Sequence, residues 1–242
     1  MRVTKLVLSY DGTDFCGWQR QPDKRTVQGV IEKALAKLCG KRIAVAGAGR
    51  TDAGVHAQGQ VASFEAALRL QGDALRRALN ALLPGDVRIL SAGSAPPGFH
   101  ARRSARSKVY RYRILNSPRI SPFLLRYVLH WPGPLDLERM ADGAERFKRE
   151  ADFSAFSSNR LLYPVRRVRR SEIQKRGSQI IFTIEADGFL RYMVRTIVGT
   201  LIEAGRGKVE PRAIEDLFAG RKRTLKSPTA PARGLCLVKV VY

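Results

Sequence analysis

One order of elements occurs twice along this chain of 242 residues, and that repeat limits its fold more than any other feature. Val3 to Tyr10 alternates apolar and polar residues, the period of a half-buried strand, and Asp11-Gly12-Thr13 ends it as a turn. In TVQGVIEKALAKLCG, Val27, Val30, Ile31, Ala34, Leu35 and Leu38 share one helical face, with Thr26 placed as N-cap and Gly40 as stop. RIAVAGA (42–48) and QVASFEA (60–66) read as strands, DALRRALNALL (73–83) as a helix halted by Pro84-Gly85, and DVRILSAGSA (86–95) as a strand. The order then returns. KVYRYRILN (108–116) is a strand, and a Pro-rich connection leads to a helix over DLERMADGAERFKRE (136–150). A hairpin spans 165–188, a helix covers FLRYMVRTIVGTLIEAG (189–205), and LCLVKVVY (235–242) is the closing strand. PRAIEDLFAG (211–220) reads as a short extra helix with Pro211 at its first position, and RKRTLK (221–226) as a mobile basic loop. Two successive split βαβ units predict an α+β protein with halves at 1–105 and 106–242. Their antiparallel sheets can merge, with helices on one face and a cleft on the other.

Charge narrows the partner. Lys and Arg number 44 against 21 Asp and Glu, a formal net charge of +23. A polyanion is the natural counterpart, because each cation that neutralises a phosphate releases a counterion; the alternative is a basic surface that only aids solubility. The apolar runs are short and MRVTKLVLSYDG lacks the features of a signal peptide, so no membrane role is expected. Cys16, Cys39 and Cys236 are scattered and odd in number, which suits a reducing cytoplasm, and His56, His100 and His130 are equally dispersed. No zinc site is expected from them.

Standard enzyme signatures are absent: there is no GxSxG, no GxxxxGK and no HExxH. Carboxylate chemistry, arginine electrostatics and aromatic stacking are left. GAGRTDAGVHA (47–57) sets Asp52 beside Arg50 where a strand ends. Asp52 is there either a turn-former bonded to its own backbone or a carboxylate projecting into a cleft. His56 reads as a positioned polar residue rather than a metal ligand. Arg191 and Arg195, four apart, would project from one side of the 189–205 helix. They either reach solvent along their stems, or Arg195 pairs with a carboxylate and keeps it ionised. Tyr110 and Tyr112 share a strand face, as sheet packing or as a surface on which a base stacks. The stretches DFCGWQRQ (14–21) and FHARRSARSK (99–108), which carry Arg20 and Arg102, mix aromatic, amide and guanidinium groups suited to looped RNA.

These residues carry a resemblance. YDGTDFCGWQRQ, TVQGVIEKAL, GRTDAGVHAQGQV, FHARRSA, YRYRILN, EADGFLRYMVRTIVGTLIEAGRGK and SPTAPARGLCLVKVVY are similar, in order and from the first strand to the last, to motifs of the TruA family of tRNA pseudouridine synthases. Tyr192, where many relatives carry His, departs from the pattern. The resemblance implies two ferredoxin-like halves flanking an RNA-binding cleft, with Asp52 as the catalytic carboxylate and Arg195 as its ion-pair partner. It further implies Tyr110 stacked on the uracil and Arg50 entering the RNA, and His56, Arg20 and Arg102 are expected along the RNA path. Uridines 38, 39 and 40 of the tRNA anticodon arm would be isomerised by a homodimer needing no cofactor and no metal. Charge alone would also fit a non-catalytic RNA-binding protein or chaperone. A metal-dependent nuclease fits poorly, since one Asp and one His do not make a carboxylate cluster.

Overall fold

The computed structural model describes residues 2–158, 163–218 and 228–242. Two compact units emerge, Met1–Arg106 with Cys236–Tyr242, and Ser107–Leu235. The basic run expected at 221–226 lies outside the described residues, as do the last two residues of the extra helix.

In the first unit the order is β1 (Arg2–Tyr10), α1 (Val27–Cys39), β2 (Ala46–Gly47), β3 (His56–Ala66), α2 (Gly72–Leu82) and β4 (Val87–Ser94). β1 lies between β3 and β4, antiparallel to both, and β2 pairs with the far side of β3. This is the split βαβ arrangement. Leu6 and Leu8 of β1 are fully buried together with Ile31, Leu35 and Leu79 of the helices. α1 starts where Thr26, in extended conformation, accepts the Gly29 N–H at 3.3 Å, and stops at Gly40 with φ of +66°. The strand expected over 42–48 is reduced to two residues. Ile43 and Val45 do turn inward, but the Val45 N–H bonds the Glu32 carboxylate (3.1 Å) instead of a neighbouring strand.

The second unit holds β5 (Ser107–Leu115), β6 (Leu129–His130), α3 (Leu137–Glu145), β7 (Glu150–Asp152), β8 (Val165–Arg176), β9 (Gln179–Ala186), α4 (Met193–Gly205) and α5 (Ala213–Phe218). Its sheet runs β5-β9-β8-β7, antiparallel throughout, with β6 parallel to β5. α3 packs on α4 and β8. Three helical boundaries differ from the sequence expectation. α3 ends at Glu145 because Ser171 Oγ donates to the Ala144 carbonyl (2.7 Å) and Phe147 turns in against Phe156, with ring centroids 5.0 Å apart. Of the expected tail, 146–149 form an irregular turn and only Glu150 enters a strand, β7. α4 begins at Met193, not at 189, because Tyr192 takes a left-handed φ of +63°. Arg191 therefore precedes the helix, and it does not share a helical face with Arg195. α5 begins two residues after Pro211, whose carbonyl accepts the Ile214 N–H at 3.1 Å.

The closing strand, β10 (Leu235–Val241), runs parallel to β3, with Cys236 opposite His56 and Leu237 opposite Ala57. It clusters with the first unit, although in the sequence it completes the second repeat. β2 pairs with β3 only at Ala62 and Ser63, which leaves the His56 end of that flank open to β10. Gly59 permits the approach, since a Cβ there would collide with the Val238 carbonyl. Tyr242 anchors the strand's end by donating its hydroxyl to the Ala101 carbonyl at 2.8 Å.

Candidate active site

The loop between β2 and β3 carries Arg50, Thr51 and Asp52, and backbone bonds hold it on both flanks. The Ala48 N–H donates to the Val61 carbonyl (2.7 Å), the Trp18 N–H to the Thr51 carbonyl (3.1 Å), and the Gly54 N–H to the Phe15 carbonyl (3.3 Å). The Asp52 carbonyl accepts the Val55 N–H (3.2 Å), closing a turn in which Gly54 has a φ of +77°, the sign a type II turn requires at its third position. The turn is thus closed by the main chain of Asp52. Segment 12–18 can lie this close only because of its glycines. A Cβ on Gly12 would collide with the Val55 carbonyl, and one on Gly17 (φ +87°) would sit 2.7 Å from the Thr51 carbonyl oxygen. YDGTDFCGW and GAGRTDAGVHA, separate motifs in sequence, are two sides of one clamp.

Arg50 is exposed on this loop and Asp52 half-buried, whereas Thr51 is buried. Beneath them lies a hydroxyl–amide network. Gln60 Nε2 donates to the Gly49 carbonyl (2.9 Å) and to the Tyr10 hydroxyl (3.4 Å), and Tyr10 bonds Thr51 Oγ1 at 2.8 Å. Burial pushes the Tyr10 phenol well above its ordinary range, against the opposing pull of its bonds to Thr51 and Gln60. His56 opens β3 and is buried. Its Nδ1 accepts the Gly12 N–H at 3.1 Å, which puts the ring proton on Nε2; the Asp11 carboxylate, 3.2 Å from the same nitrogen, becomes an ion pair only with a protonated ring.

Arg20 is exposed at the end of the clamping segment. Its backbone N–H bonds Gln28 Oε1 (2.9 Å) and its guanidinium lies 3.6 Å from Glu32. Arg102 is exposed on a turn built around His100, whose Nδ1 accepts the N–H groups of Arg102 (3.1 Å) and Arg103 (3.3 Å). The Ala101 N–H docks that turn on Ser63 Oγ of β3 (3.0 Å). Arg50, Asp52 and His56 therefore belong to one clamp, Arg20 lies just past its end and is tied to α1, and Arg102 joins β3 further along.

In the second unit Tyr110 is nearly buried on β5, its ring edge-on to Phe189 at 5.0 Å. Arg195, in the first turn of α4, donates from Nε to the Ala230 carbonyl (2.7 Å), and the Ala230 N–H returns a bond to the Arg195 carbonyl (3.0 Å). The guanidinium groups of Arg195 and Arg191 lie 4.9 and 5.0 Å from the Tyr192 ring centroid, cation–π distances in both cases. The Tyr112 hydroxyl donates to the Pro231 carbonyl at 2.8 Å. Burial raises this phenol's pKa, while the Arg195 and Arg233 charges draw it down. Segment 228–231 is thus an arm laid along α4 that fixes the stem of Arg195. Tyr10, Gln60 and Phe189 were not singled out from sequence, and Tyr192 was named only as a departure from the family's pattern. Gln60 left a trace there, as a polar residue opening an apolar strand.

The chain matches the tRNA pseudouridine synthase family over residues 6–102 and 144–242. It is 43% identical to a tRNA pseudouridine synthase A of Thermodesulfovibrio yellowstonii, across 98% of each chain. It is 44% identical to proteins of the same name from Geotalea daltonii and Moorella thermoacetica, across the full length of all three chains. The chain belongs to the tRNA pseudouridine synthase family. The first segment matched to tRNA pseudouridine synthases holds Arg20, Arg50, Asp52, His56 and Arg102, and the second holds Arg195; Tyr110 falls between them. The Asp52 clamp and the arm on α4 therefore lie in the parts of the chain that carry the family's pattern. Among the described residues, no helix is long and apolar enough to cross a membrane.

Proposed function

We propose that the protein isomerises uridine to pseudouridine at positions 38, 39 and 40 of the tRNA anticodon stem-loop, with Asp52 as the catalytic carboxylate. The observation that carries this is the clamp. In a member of this family, a single carboxylate is presented on a loop pinned by the Thr51 and Gly54 backbone bonds, next to an exposed arginine. The reaction breaks N1–C1′ and forms C5–C1′ with no redox change and no added group. The C5 proton leaves to solvent and N1 takes up a proton in its place. One ionised carboxylate suffices whether it adds to the uracil ring, attacks C1′ or removes the C2′ proton.

The base must leave its stack to be reached, at about a few kcal/mol, which stacking and backbone contacts offset. In this reading Tyr110 stacks on the uracil and Arg50 enters the RNA. Arg20 and Arg102 hold phosphates, and His56 supports the RNA path from the buried side. Arg195 keeps the Asp52 carboxylate ionised, as an adjacent guanidinium does by lowering a carboxyl pKa. The protein acts as a cytoplasmic homodimer without a cofactor. The formal charge of +23 supports an RNA substrate.

The test uses tRNA tritiated at uracil C5. Wild type releases tritium, and Asp52→Asn and Asp52→Ala release none while still binding tRNA. Release by Asp52→Ala would overturn the assignment. Chelator leaves release unchanged, whereas its abolition would point to a metal-dependent reaction. A particle mass equal to one chain, measured by sedimentation, would remove the homodimer.

A further inference from the structure

Gln60 is fully buried on β3, and its side-chain amide bonds the loop that carries Asp52, Tyr10 of β1 and its own strand. Nε2 gives one proton to the Gly49 carbonyl and the other to the Tyr10 hydroxyl, while Oε1 accepts the Val61 N–H at 3.2 Å. An amide nitrogen only donates. The Tyr10 oxygen therefore accepts from Gln60, and the Tyr10 and Thr51 hydroxyls share a hydrogen bond, giving the linked chain Gln60 to Tyr10 to Thr51. Its two ends hold the residues on either side of Arg50, the carbonyl of Gly49 and the hydroxyl of Thr51, which adjoins Asp52.

We infer that Tyr10, Thr51 and Gln60 are positioning residues that set the orientation of Arg50 and Asp52 from below; this rests on Asp52 being the catalytic carboxylate. The backbone bonds already hold the loop in place at Thr51 and Gly54, so the network is not needed for the loop to exist. It adds orientation. A pair of apolar side chains of similar shape at positions 10 and 51 would fill the same space, and Tyr10 packs its ring against Trp18 (centroids 6.2 Å apart) whether or not it has a hydroxyl. Buried polar networks of this kind, fully satisfied, select one geometry where apolar packing permits several.

The consequence is a separation of rate from stability. Tyr10→Phe strands the Thr51 hydroxyl and one Gln60 Nε2 proton, and Thr51→Val strands the Tyr10 hydroxyl; the double variant leaves an apolar contact between positions 10 and 51, with only the Gln60 proton deprived of its acceptor. Single-turnover tritium release is expected to fall at least about tenfold in each single variant, with tRNA affinity within about threefold of native, as for a reacting group displaced by a fraction of an ångström. Thr51→Ser restores the hydroxyl and brings the rate back toward native. The double variant recovers its urea midpoint relative to Tyr10→Phe, which strands one more polar group, while its rate stays low. The inference is overturned if Tyr10→Phe and Thr51→Val turn over at the native rate, or if rate simply follows the urea midpoint through the series. Asp52→Asn, assayed alongside, separates the two levels. Its inactivity combined with native rates in the network variants removes this inference alone, whereas its activity removes the catalytic assignment and this inference with it.

Discussion

Replacing Gly17 by Ala should damage the loop that carries Asp52 out of proportion to the single methyl added. Gly17 has a φ of +87°, where an L-residue loses roughly 1–2 kcal/mol. The methyl would also sit 2.7 Å from the Thr51 carbonyl oxygen, far inside the roughly 3.5 Å of ordinary contact. That oxygen cannot swing aside freely, because it accepts the Trp18 N–H at 3.1 Å, a bond worth about 1 kcal/mol. Strain and bond loss together predict a destabilisation of about 2–3 kcal/mol. Gly98 supplies the control in the same unit. It has a φ of +77° in a turn closed by the Phe99 N–H on the Pro96 carbonyl, and no atom lies within 4 Å of its added methyl. Gly98→Ala therefore isolates the backbone effect, about 1–2 kcal/mol. Urea unfolding in a Trp131→Phe background makes buried Trp18 the reporter for the first unit, and tritium release reports the loop. Gly17→Ala should lose at least about 1 kcal/mol more than Gly98→Ala, and alone lose turnover of at least about tenfold under conditions where both are folded. Equal stability losses with native turnover in both would refute the clamp as the device that places Asp52.

Thr26→Ala should destabilise the first unit by about 1 kcal/mol, since it removes the side-chain acceptor for the Gly29 N–H; a shift of the urea midpoint measures it. Gly199→Ala drives a methyl into the Pro228 carbonyl and should lift the 228–231 arm from α4, taking Ala230 off Arg195. Faster proteolysis within 228–231 and lower tritium release are the expected readings, and an unchanged cleavage pattern would contradict the arm's role. Arg195→Met should reduce turnover strongly without unfolding the second unit; near-native release at native stability would contradict its assigned role. The Glu215 carboxyl is held below its usual range first by its hydrogen bond from Arg149, then by that charge and by Arg146. A carboxyl that binds protons less tightly when folded adds stability above its unfolded pKa, near 4.5, and loses it as pH falls through the folded value. With the side chain 41% exposed, screening limits the effect to less than about 1 kcal/mol. The stability advantage of wild type over Glu215→Gln should shrink below about pH 4.5, as acid unfolding curves of the two would show.

What the sequence disclosed followed the range of the interactions concerned. α1 was legible to the residue because Thr26 and Gly40 act on their own neighbours. β5, β8 and β9 were legible because alternation is a local pattern. β2 was over-read, since the fate of the Val45 N–H depends on a carboxylate of α1. The start of α4 was misplaced because a left-handed Tyr192 has no signature in its residue type. At the site, GRTDAGVHA pointed to Asp52, but it could not reveal that Gly12 and Gly17 complete the same clamp from the other side of a helix. Nor could it show that Gln60 supplies the bonds below, because those contacts join residues far apart in the chain.

The return of β10 to β3 makes the first unit a discontinuous domain with the whole of Ser107–Leu235 inserted in it. On the ribosome, residues 2–106 emerge and wait, with the stretch of β3 from His56 to Gly59 still lacking β10, until the entire second unit has been made. His56 opens that stretch and follows directly on the Asp52 turn, so one shoulder of that loop is finished last. A nascent or truncated chain without residues 236–242 would present an unpaired strand edge there, a template for association with other chains. The same seven residues thus tie completion of the Asp52 loop's surroundings to synthesis of the whole second unit.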